Sequence, residues 1–168
     1  MQLAIEIDQA LVEAGLIGWC DEVWLGCESG SQRILDAMDK EITVEQIRAA
    51  RLGLGAHGIR ACFFIQFGYP GETWEDIEKT VALVTELMPD DIGVSVSYPL
   101  PGTRFHEMVK LELDEQANWE TSGDLTMMFH GTYPTEIYRE LHLSLHDLHD
   151  LKRREAGLSR NPHPMLPE

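Results

Sequence analysis

Three segments of this chain follow one pattern, in which an apolar strand ends at a turn rich in Gly, Pro or Ser and a helix begins directly after it. The segments are Glu22–Ser31, Ile59–Thr73 and Ile92–Thr103. Their strands start near residues 22, 59 and 92, a near-constant interval that suits one strand plus one helix. The repeat therefore predicts an α/β fold of βα units with a parallel sheet, in which the turns after the strands carry the functional groups.

Composition limits the functions that the chain can have. Its 168 residues suit one domain, and 13 basic against 29 acidic side chains give a net charge of −16. Such a charge repels polyanions, and the basic patch of a nucleic-acid-binding protein is missing. Because the sequence has neither a membrane-length apolar run nor a signal-peptide pattern at its start, we expect a cytoplasmic protein with a small-molecule substrate.

Local signals predict the individual elements. The expected strands are Val23–Glu28, Ile59–Phe67 and Ile92–Tyr98, and the expected helices are Gln32–Met38, a helix from Thr43 to near Gly58, Trp74–Met88, Arg104–Val109 and Thr135–Ala156. Thr43 with Gln46, and Thr73 with Asp76, have the spacing of helix N-caps. We also expect a short helix from Asp8 to Ala14, a loop at Lys110–Tyr133 and a disordered Pro-rich tail.

Polar side chains fall at the same end of each predicted strand. By alternation, Glu28, Gln66, Ser95 and Ser97 lie on corresponding faces of the three strands. Since the carboxyl ends of parallel strands meet at one edge, polar groups that converge there indicate a ligand-binding mouth. The alternative is that Glu28 and Gln66 are satisfied within a structural hydrogen-bond network. For Glu72, a first-turn position that complements the helix dipole is preferred to a ligand contact.

Cysteines and histidines give no ligand set for a metal. Cys27 and Cys62 lie within predicted strands and suit the core, and no Cys-x-x-Cys pair occurs. His142, His146 and His149 share one stripe of the last predicted helix. That spacing occurs in helical zinc sites, but nothing else in the sequence completes a site, so boundary positions beside an apolar face are the preferred interpretation.

The three turns resemble those of radical S-adenosylmethionine enzymes. Residues 26–38 (Gly-Cys-Glu-Ser-Gly-Ser-Gln-Arg-Ile-Leu-Asp-Ala-Met) resemble the fourth strand and helix of that family. Residues 67–73 (Phe-Gly-Tyr-Pro-Gly-Glu-Thr) resemble the turn after its fifth strand, and residues 97–103 (Ser-Tyr-Pro-Leu-Pro-Gly-Thr) resemble the turn after its sixth. The likeness covers residues 1–110 and is strongest to the branch that carries an upstream cobalamin-binding domain.

The resemblance implies the C-terminal half of a partial (βα)₆ barrel at 1–110, followed by a helical and loop extension at 111–160 and the tail at 161–168. Family members bind a [4Fe–4S] cluster and S-adenosylmethionine, which they cleave reductively to a 5′-deoxyadenosyl radical. The resemblance assigns the ribose and methionine side of that cofactor to Glu28 and Ser29. It assigns the adenine side to Ile65, Gln66, Phe67, Gly68, Ser97, Tyr98 and Pro99.

Two features depart from the family pattern. The fifth-strand motif Gly-x-Ile-x-Gly-x-x-Glu is half kept, because Phe64 and Gln66 replace its first Gly and its Ile, and Glu72 comes one residue late. The cluster motif Cys-x-x-x-Cys-x-x-Cys is absent. We therefore expect no metal ligands in this chain, cluster ligands in a missing N-terminal half-barrel, and no cluster in the isolated chain.

Three hypotheses stay open on the sequence alone. The first is a fragment of a radical S-adenosylmethionine enzyme, inactive by itself, that supplies the ribose and adenine side of the site, with cobalamin bound by an upstream domain. The second is a non-catalytic half-barrel module or partner-dependent scaffold. The third is an unrelated βα-barrel lyase or isomerase with Glu28 as its base.

Overall fold

A computed structural model of the chain describes residues 20–113 and 125–158. Its elements in chain order are β1 (Glu22–Glu28), α1 (Gln32–Ala37), α2 (Val44–Ala56), β2 (Arg60–Phe67), α3 (Trp74–Leu87), β3 (Ile92–Val96), α4 (Arg104–Val109) and α5 (Thr135–Glu155). The predicted α/β class, with strands and helices in alternation and a helix at the C-terminal end, is confirmed. The strand and helix bounds agree with the predicted bounds to within two residues.

The three strands form one parallel sheet in the order β1-β2-β3. The register pairs Gln66 with Ser95 and Gly26 with Phe64. A bulge between Gly26 and Glu28 then shifts the register of β1 by one residue. Glu28 therefore pairs with Ile65 and not with the next residue along β2. Glu28 has a φ of 58°, in the left-handed region. The bulge therefore resets the direction in which the Glu28 side chain leaves the strand.

The two faces of the sheet have different surroundings. Phe63, Ile65 and Phe67 of β2 point into the main apolar core, which the sheet forms with side chains of the helices, and each is at most 1% exposed. On the opposite face, Phe64 is 50% exposed and stacks on Trp24 with ring centroids 4.7 Å apart. We call this second face the open face. Because the open face is exposed, a ligand or another chain can reach the sheet from this side.

Two helices begin at capping residues as predicted. The Gln46 N–H donates to Thr43 Oγ1 at 3.1 Å, and the Thr43 N–H donates to Gln46 Oε1 at 2.8 Å, which is the reciprocal capping box. At the start of α3, both the N–H and the hydroxyl of Thr73 donate to Asp76. These caps fix where the chain turns from each loop into a helix.

Helix α5 packs against α3 and β3 and is tied to the loop that precedes β3. His149 Nε2 lies 2.8 Å from the carbonyl oxygen of Pro89, and Arg153 donates to the same carbonyl at 2.9 Å. Arg153 also lies 3.5 Å from Asp90, which Arg51 of α2 approaches at 3.6 Å. Polar side chains from two helices thus converge at the N-terminal edge of the sheet, opposite the turns that carry the candidate site.

Part of the predicted structure lies outside the described residues. This applies to the short helix at Asp8–Ala14, to 114–124 of the long loop and to the tail at 161–168. The described flanks of the loop form one antiparallel bridge, between Leu113 and Phe129. Within the two described ranges, no helix has both the length and the apolar character needed to cross a membrane.

Candidate functional site

Glu28, Gln66 and Ser95 share the open face near the C-terminal edge of the sheet. Gln66 and Ser95 are register partners, so their side chains leave the sheet on the same side. Glu28 lies on the same face despite the bulge. Its Oε1 is 3.2 Å from the position that a Cβ on Gly26 would occupy, and Gly26 is an open-face position of β1. Gly26 in turn pairs with Phe64, which precedes Gln66 by two residues on that face. The structure therefore brings these three polar groups together, and all three are half-buried.

The Glu28 carboxylate is held in place by a lysine. Lys40 Nζ donates to Glu28 Oε1 at 2.8 Å, and the Glu28 side chain is 16% exposed. A carboxylate has about four acceptor sites, so one ion pair leaves capacity for hydroxyl or amine donors of a ligand. Glu28 is thus a positioned acceptor at the edge of the open face.

An aromatic pair lies below the polar groups on the same face. Trp24 stacks on Phe64, and a Cβ on Gly93 would lie 3.0 Å from Phe64 Cδ1 and 3.4 Å from Trp24 Cζ3. Gly93 therefore gives the rings room to lie flat on the sheet.

Two β2 residues that the resemblance assigned to the adenine side, Ile65 and Phe67, lie on the other side of the sheet from Gln66. Ile65 and Phe67 are at most 1% exposed and belong to the core, so only their backbone faces the edge. Gly68 follows with a φ of 80°, and a Cβ there would lie 2.9 Å from Met127 Sδ and 3.3 Å from Tyr138 Cζ. The chain that follows β3 therefore packs directly on the turn after β2 and borders the site.

The predicted residues after β3 are largely enclosed. Ser97 is fully buried, and its N–H continues the sheet by donating to Phe67 O at 2.8 Å. Its Oγ is buried and has no hydrogen-bond partner within the described ranges. Pro99 is buried and Tyr98 is half-buried. Ser97 thus offers a desolvated hydroxyl beside the edge, although it is not exposed on the open face as Gln66 is.

Ser29 lies in a hydrogen-bonded contact between the turn after β1 and helix α3. We call this contact the Asp76 junction; it comprises Ser29, Gly30, Ser31, Arg33, Thr73, Asp76 and Thr80. Ser29 Oγ lies 3.1 Å from Thr80 Oγ1, which also accepts from the Gly30 N–H at 2.9 Å. Because Ser29 is fully buried in this contact, its side chain is engaged with α3 and not with the open face.

Asp76 is the centre of the junction. Its carboxylate accepts from Ser31 Oγ at 2.6 Å, from Thr73 N–H at 2.9 Å, from Thr73 Oγ1 at 2.6 Å and from Arg33. Burial alone would raise the pKa of Asp76, but the hydrogen bonds from Arg33, Ser31 and Thr73 outweigh burial and hold its pKa well below the usual range. Asp76 is therefore a charged group whose donors come from two parts of the chain, the start of α1 and the residue before α3.

Glu72 is also fully buried but has far fewer partners. Its Oε2 accepts from the Gly68 N–H at 2.7 Å, and its Oε1 has no hydrogen-bond partner in the described parts of the chain. Burial raises the pKa of Glu72 to about 7 against the lowering effect of the Gly68 hydrogen bond. The carboxyl group thus does more than complement the dipole of α3, because it holds the turn after β2.

The sequence pattern that predicts the cap of α3 also contains a signal for the junction. Asp76 and Thr80 are four residues apart on α3 and therefore lie on one helix face. Two serines flank Gly30 in the preceding βα turn, and a Cβ on Gly30 would lie 2.4 Å from the Lys79 carbonyl oxygen. Small polar residues around a glycine, opposite a carboxylate and a hydroxyl on one helix face, are typical of such a close contact.

Cys27 and Cys62 are buried in the described structure. Burial raises the pKa of the Cys27 and Cys62 thiols to about 12, so neither thiolate forms near neutral pH. The rings of His142 and His146 contact each other with centroids 4.6 Å apart. Among residues 20–113 and 125–158, no three His, Cys, Asp or Glu side chains are arranged to hold a metal ion.

A cavity of about 310 Å³ lies between α3 and α5, away from the polar groups of the open face. Its lining is mostly apolar and consists of Trp74, Val81, Ile137, Glu140, Leu141, Ser144, Leu145 and Leu148. None of the residues that the sequence predicted for cofactor binding contributes to it. The cavity therefore adds nothing to the candidate site.

Known proteins similar to this chain include several methylthiotransferases. The chain is 36% identical over 90 residues to an uncharacterized methyltransferase of Pyrococcus horikoshii, a match that covers 54% of this chain and 20% of the relative. It is 32% identical over 136 residues to the tRNA-2-methylthio-N(6)-dimethylallyladenosine synthase of Thermus thermophilus, covering 71% and 28%. It is 30% identical over 109 residues to the human threonylcarbamoyladenosine tRNA methylthiotransferase, covering 64% and 18%.

These relatives belong to the radical S-adenosylmethionine superfamily, so the motif resemblance is confirmed at that level. The chain spans less than a third of the length of each of these relatives. No protein-family model matches the chain. What is shared is therefore one segment of larger enzymes, and the names of those enzymes describe functions of the whole proteins.

Proposed function

We propose that this chain is a segment of a radical S-adenosylmethionine enzyme related to the methylthiotransferases, and that it forms the ribose and adenine side of the cofactor site. The proposal is supported by the similarity to these enzymes and by the three turn motifs. It is carried by one observation of geometry, the shared open face of Glu28, Gln66 and Ser95 at the C-terminal edge of the sheet.

The residues at this edge suit S-adenosylmethionine. Glu28 is a positioned acceptor for the ribose hydroxyls, and Gln66 carries both donors and acceptors for a heterocyclic ring. Ser97 Oγ is buried without a partner in the described ranges, and Tyr98 and Pro99 adjoin it, so this part of the edge has a polar group left to satisfy. When bound, S-adenosylmethionine supplies radical chemistry, and this chain contributes binding and orientation.

The described residues do not suit the [4Fe–4S] cluster. Cluster iron is held by closely placed thiolates, whereas Cys27 and Cys62 are buried thiols with raised pKa values on neighbouring strands. In the proposed enzyme the cluster ligands come from the other half of the barrel. The cobalamin-binding branch is a finer prediction that rests only on the turn motifs, and the names of the similar proteins give it no support.

The substrate belongs to the whole enzyme. The names of several relatives specify tRNA modification, but a net charge of −16 is unsuited to contact with a polyanion. We therefore propose that this segment contacts the cofactor and the reacting part of the substrate, and that any phosphate contacts are made by other segments. A cytoplasmic location is part of the same proposal.

An enzyme in which this chain replaces the matching segment of the Thermus relative tests the site. Glu28→Gln and Gln66→Ala are each expected to slow reductive cleavage of S-adenosylmethionine about tenfold, the effect of losing one hydrogen bond to a bound ligand. Glu45→Gln, an exposed change on α2, is the matched control and should leave the rate unchanged. Unaltered cleavage in both site variants would remove the site assignment.

A second experiment separates this segment from the cluster. Anaerobic reconstitution of the 168-residue chain with iron and sulfide is expected to give no stoichiometric cluster. The same treatment of the hybrid enzyme should give one, with the charge-transfer absorbance of a [4Fe–4S] centre. Stoichiometric iron and sulfide on the chain alone would contradict the proposed division of roles.

A second candidate function is a non-catalytic module that pairs with another chain. It is favoured by the exposed aromatic pair of Trp24 and Phe64, and by β1 and β3, which lie at the edges of the described sheet. Unpaired strand edges promote association. Light scattering of the chain distinguishes the two cases in solution, because a scaffold should form a defined complex without cofactor, whereas a monodisperse monomer would exclude self-association through these edges.

A further inference from the structure

Glu72 lies beneath the turn that joins β2 to α3. Its side chain is fully buried, and Oε2 accepts from the Gly68 N–H at 2.7 Å. Gly68 directly follows the last residue of β2 and has a φ of 80°. A buried N–H in this position needs an acceptor, and no sheet partner provides one in the described residues. The Glu72 carboxyl group therefore fixes the backbone where the strand becomes the turn.

The same turn is covered from the C-terminal part of the chain. Met127 Sδ and Tyr138 Cζ would lie 2.9 Å and 3.3 Å from a Cβ on Gly68, so these side chains leave the turn no room to shift toward them. On the β3 side, the Ser97 N–H donates to Phe67 O. The turn is thus fixed by α5, by β3 and, from inside, by one carboxyl group.

The groups that face Glu72 do not balance its charge. Asp76 of α3 raises the pKa of Glu72, Arg33 of α1 lowers it from a distance, and the phenol of Tyr138 on α5 is itself made less acidic by burial and by Glu72. Burial is the largest cause, and together these effects bring the pKa of Glu72 to about 7. Glu72 therefore changes its charge near neutral pH while it holds the Gly68 amide.

We propose that Glu72 is a positioning residue for the turn Gly68–Gly71, and that this turn is held most firmly when the Glu72 carboxyl group is charged. A carboxylate is a stronger acceptor for the Gly68 N–H than a neutral carboxyl group, because charge-assisted hydrogen bonds are roughly twice as strong. This inference rests on the proposed function for its consequence, since the turn borders the face on which S-adenosylmethionine would bind.

The Gly68 amide reports on the proposal directly. In ¹⁵N-labelled chain, its amide shift should titrate with a midpoint near pH 7 between about pH 5 and pH 9. Glu72→Gln keeps a carbonyl acceptor and should abolish the titration while retaining exchange protection of the amide. Glu72→Leu removes the acceptor and should lower protection about tenfold at every pH, a loss that Glu72→Gln does not share.

Glu78→Gln is the matched control, because it removes one carboxylate from an exposed position on α3, the helix that begins after Glu72. It should leave the Gly68 titration unchanged. A Gly68 shift that is flat in the unmodified chain, or that still titrates in Glu72→Gln, would overturn the proposal. Circular dichroism checks that the Leu variant is folded, and the Gln variant keeps the test valid if it is not.

Ligand binding separates this proposal from the proposed function. Calorimetry with S-adenosylmethionine on the hybrid enzyme is expected to show affinity that strengthens as pH rises through about 7, and Glu72→Gln should remove this pH dependence. If the Gly68 amide titrates as expected but no form of the enzyme binds S-adenosylmethionine, the proposed function fails and the positioning role of Glu72 stands. Binding with the same pH dependence in Glu72→Gln would refute the positioning role alone.

Discussion

Asp76 and Glu72 are two buried carboxyl groups within one turn of each other, yet their environments have opposite effects on ionisation. Asp76 is 2% exposed and Glu72 is fully buried, so burial penalises the charge of both. Asp76 receives donors from Ser31, Thr73 and Arg33, whereas Glu72 receives one, the Gly68 N–H. The pKa of Asp76 falls and that of Glu72 rises to about 7. Burial raises the pKa of Glu72 because one donor opposes it, whereas the several donors to Asp76 outweigh the effect of burial on its pKa.

The difference assigns the two groups to different roles. Asp76 stays charged throughout the physiological range and joins the turns after β1 and β2 permanently. The pKa of Glu72 is about 7, so its carboxyl group changes charge near neutral pH. A buried carboxylate with all its hydrogen bonds made is suited to holding the fold together. A buried carboxyl group with one oxygen left without a partner is suited to controlling a turn.

The largest expected effect comes from removing the paired carboxylate. Asp76→Ala leaves the donors of Ser31, Thr73 and Arg33 without their acceptor and should lower the free energy of unfolding by about 3–5 kcal/mol, measured by urea denaturation. Because the folded pKa of Asp76 is depressed, its contribution is present above its ordinary pKa of 3.8 and is lost as pH falls toward the folded value. Glu75→Gln, an exposed change in the same turn, is the control. A loss below 1 kcal/mol would show that the junction does not hold the fold together.

A smaller effect is expected from crowding the same junction without touching its charges. Gly30→Ala places a Cβ 2.4 Å from the Lys79 carbonyl oxygen and 2.7 Å from Thr80 Cα, so backbone must move. We expect a loss of about 2–3 kcal/mol in thermal or urea unfolding. Gly58→Ala, where a Cβ meets nothing within 4 Å but φ is 71°, isolates the backbone cost and should lose only about 1 kcal/mol. Equal losses in the two variants would mean that the contact at Gly30 is looser than described.

The smallest expected effect changes sign with pH. The folded pKa of Glu72 lies above its ordinary value of 4.5, so the unfolded chain releases this proton first and stability falls as pH rises from about 4.5 to about 7. Glu72→Gln removes that loss and should be more stable than the unmodified chain by about 1–2 kcal/mol near pH 9, and slightly less stable near pH 4. Denaturant unfolding at the two pH values gives the comparison. A difference that does not depend on pH would place Glu72 with Asp76, as a group whose charge is fixed in the fold.

The fold was largely predictable from local patterns, because each element carries its own period and caps. The capping pairs at Thr43 and Thr73 are found as expected, and α4 has its predicted bounds. The candidate site was predictable in part. Gln66 and Ser95 share a face as alternation requires, and Glu28 reaches that face although a bulge interrupts the alternation of β1. The burial of Ser97 could not be predicted, because it depends on how the chain packs after β3.

The sequence by itself determined which segments become strands and helices, and it determined that their polar residues cluster at one edge, since apolar period and turn chemistry are local. Only the tertiary structure decided that Ser29 contacts Thr80, that Asp76 receives donors from Ser31 and Arg33, and that Glu72 is removed from water. Hydrogen-bond partners distant in sequence and removal from water arise only when elements pack. The charge of a buried carboxyl group depends on both.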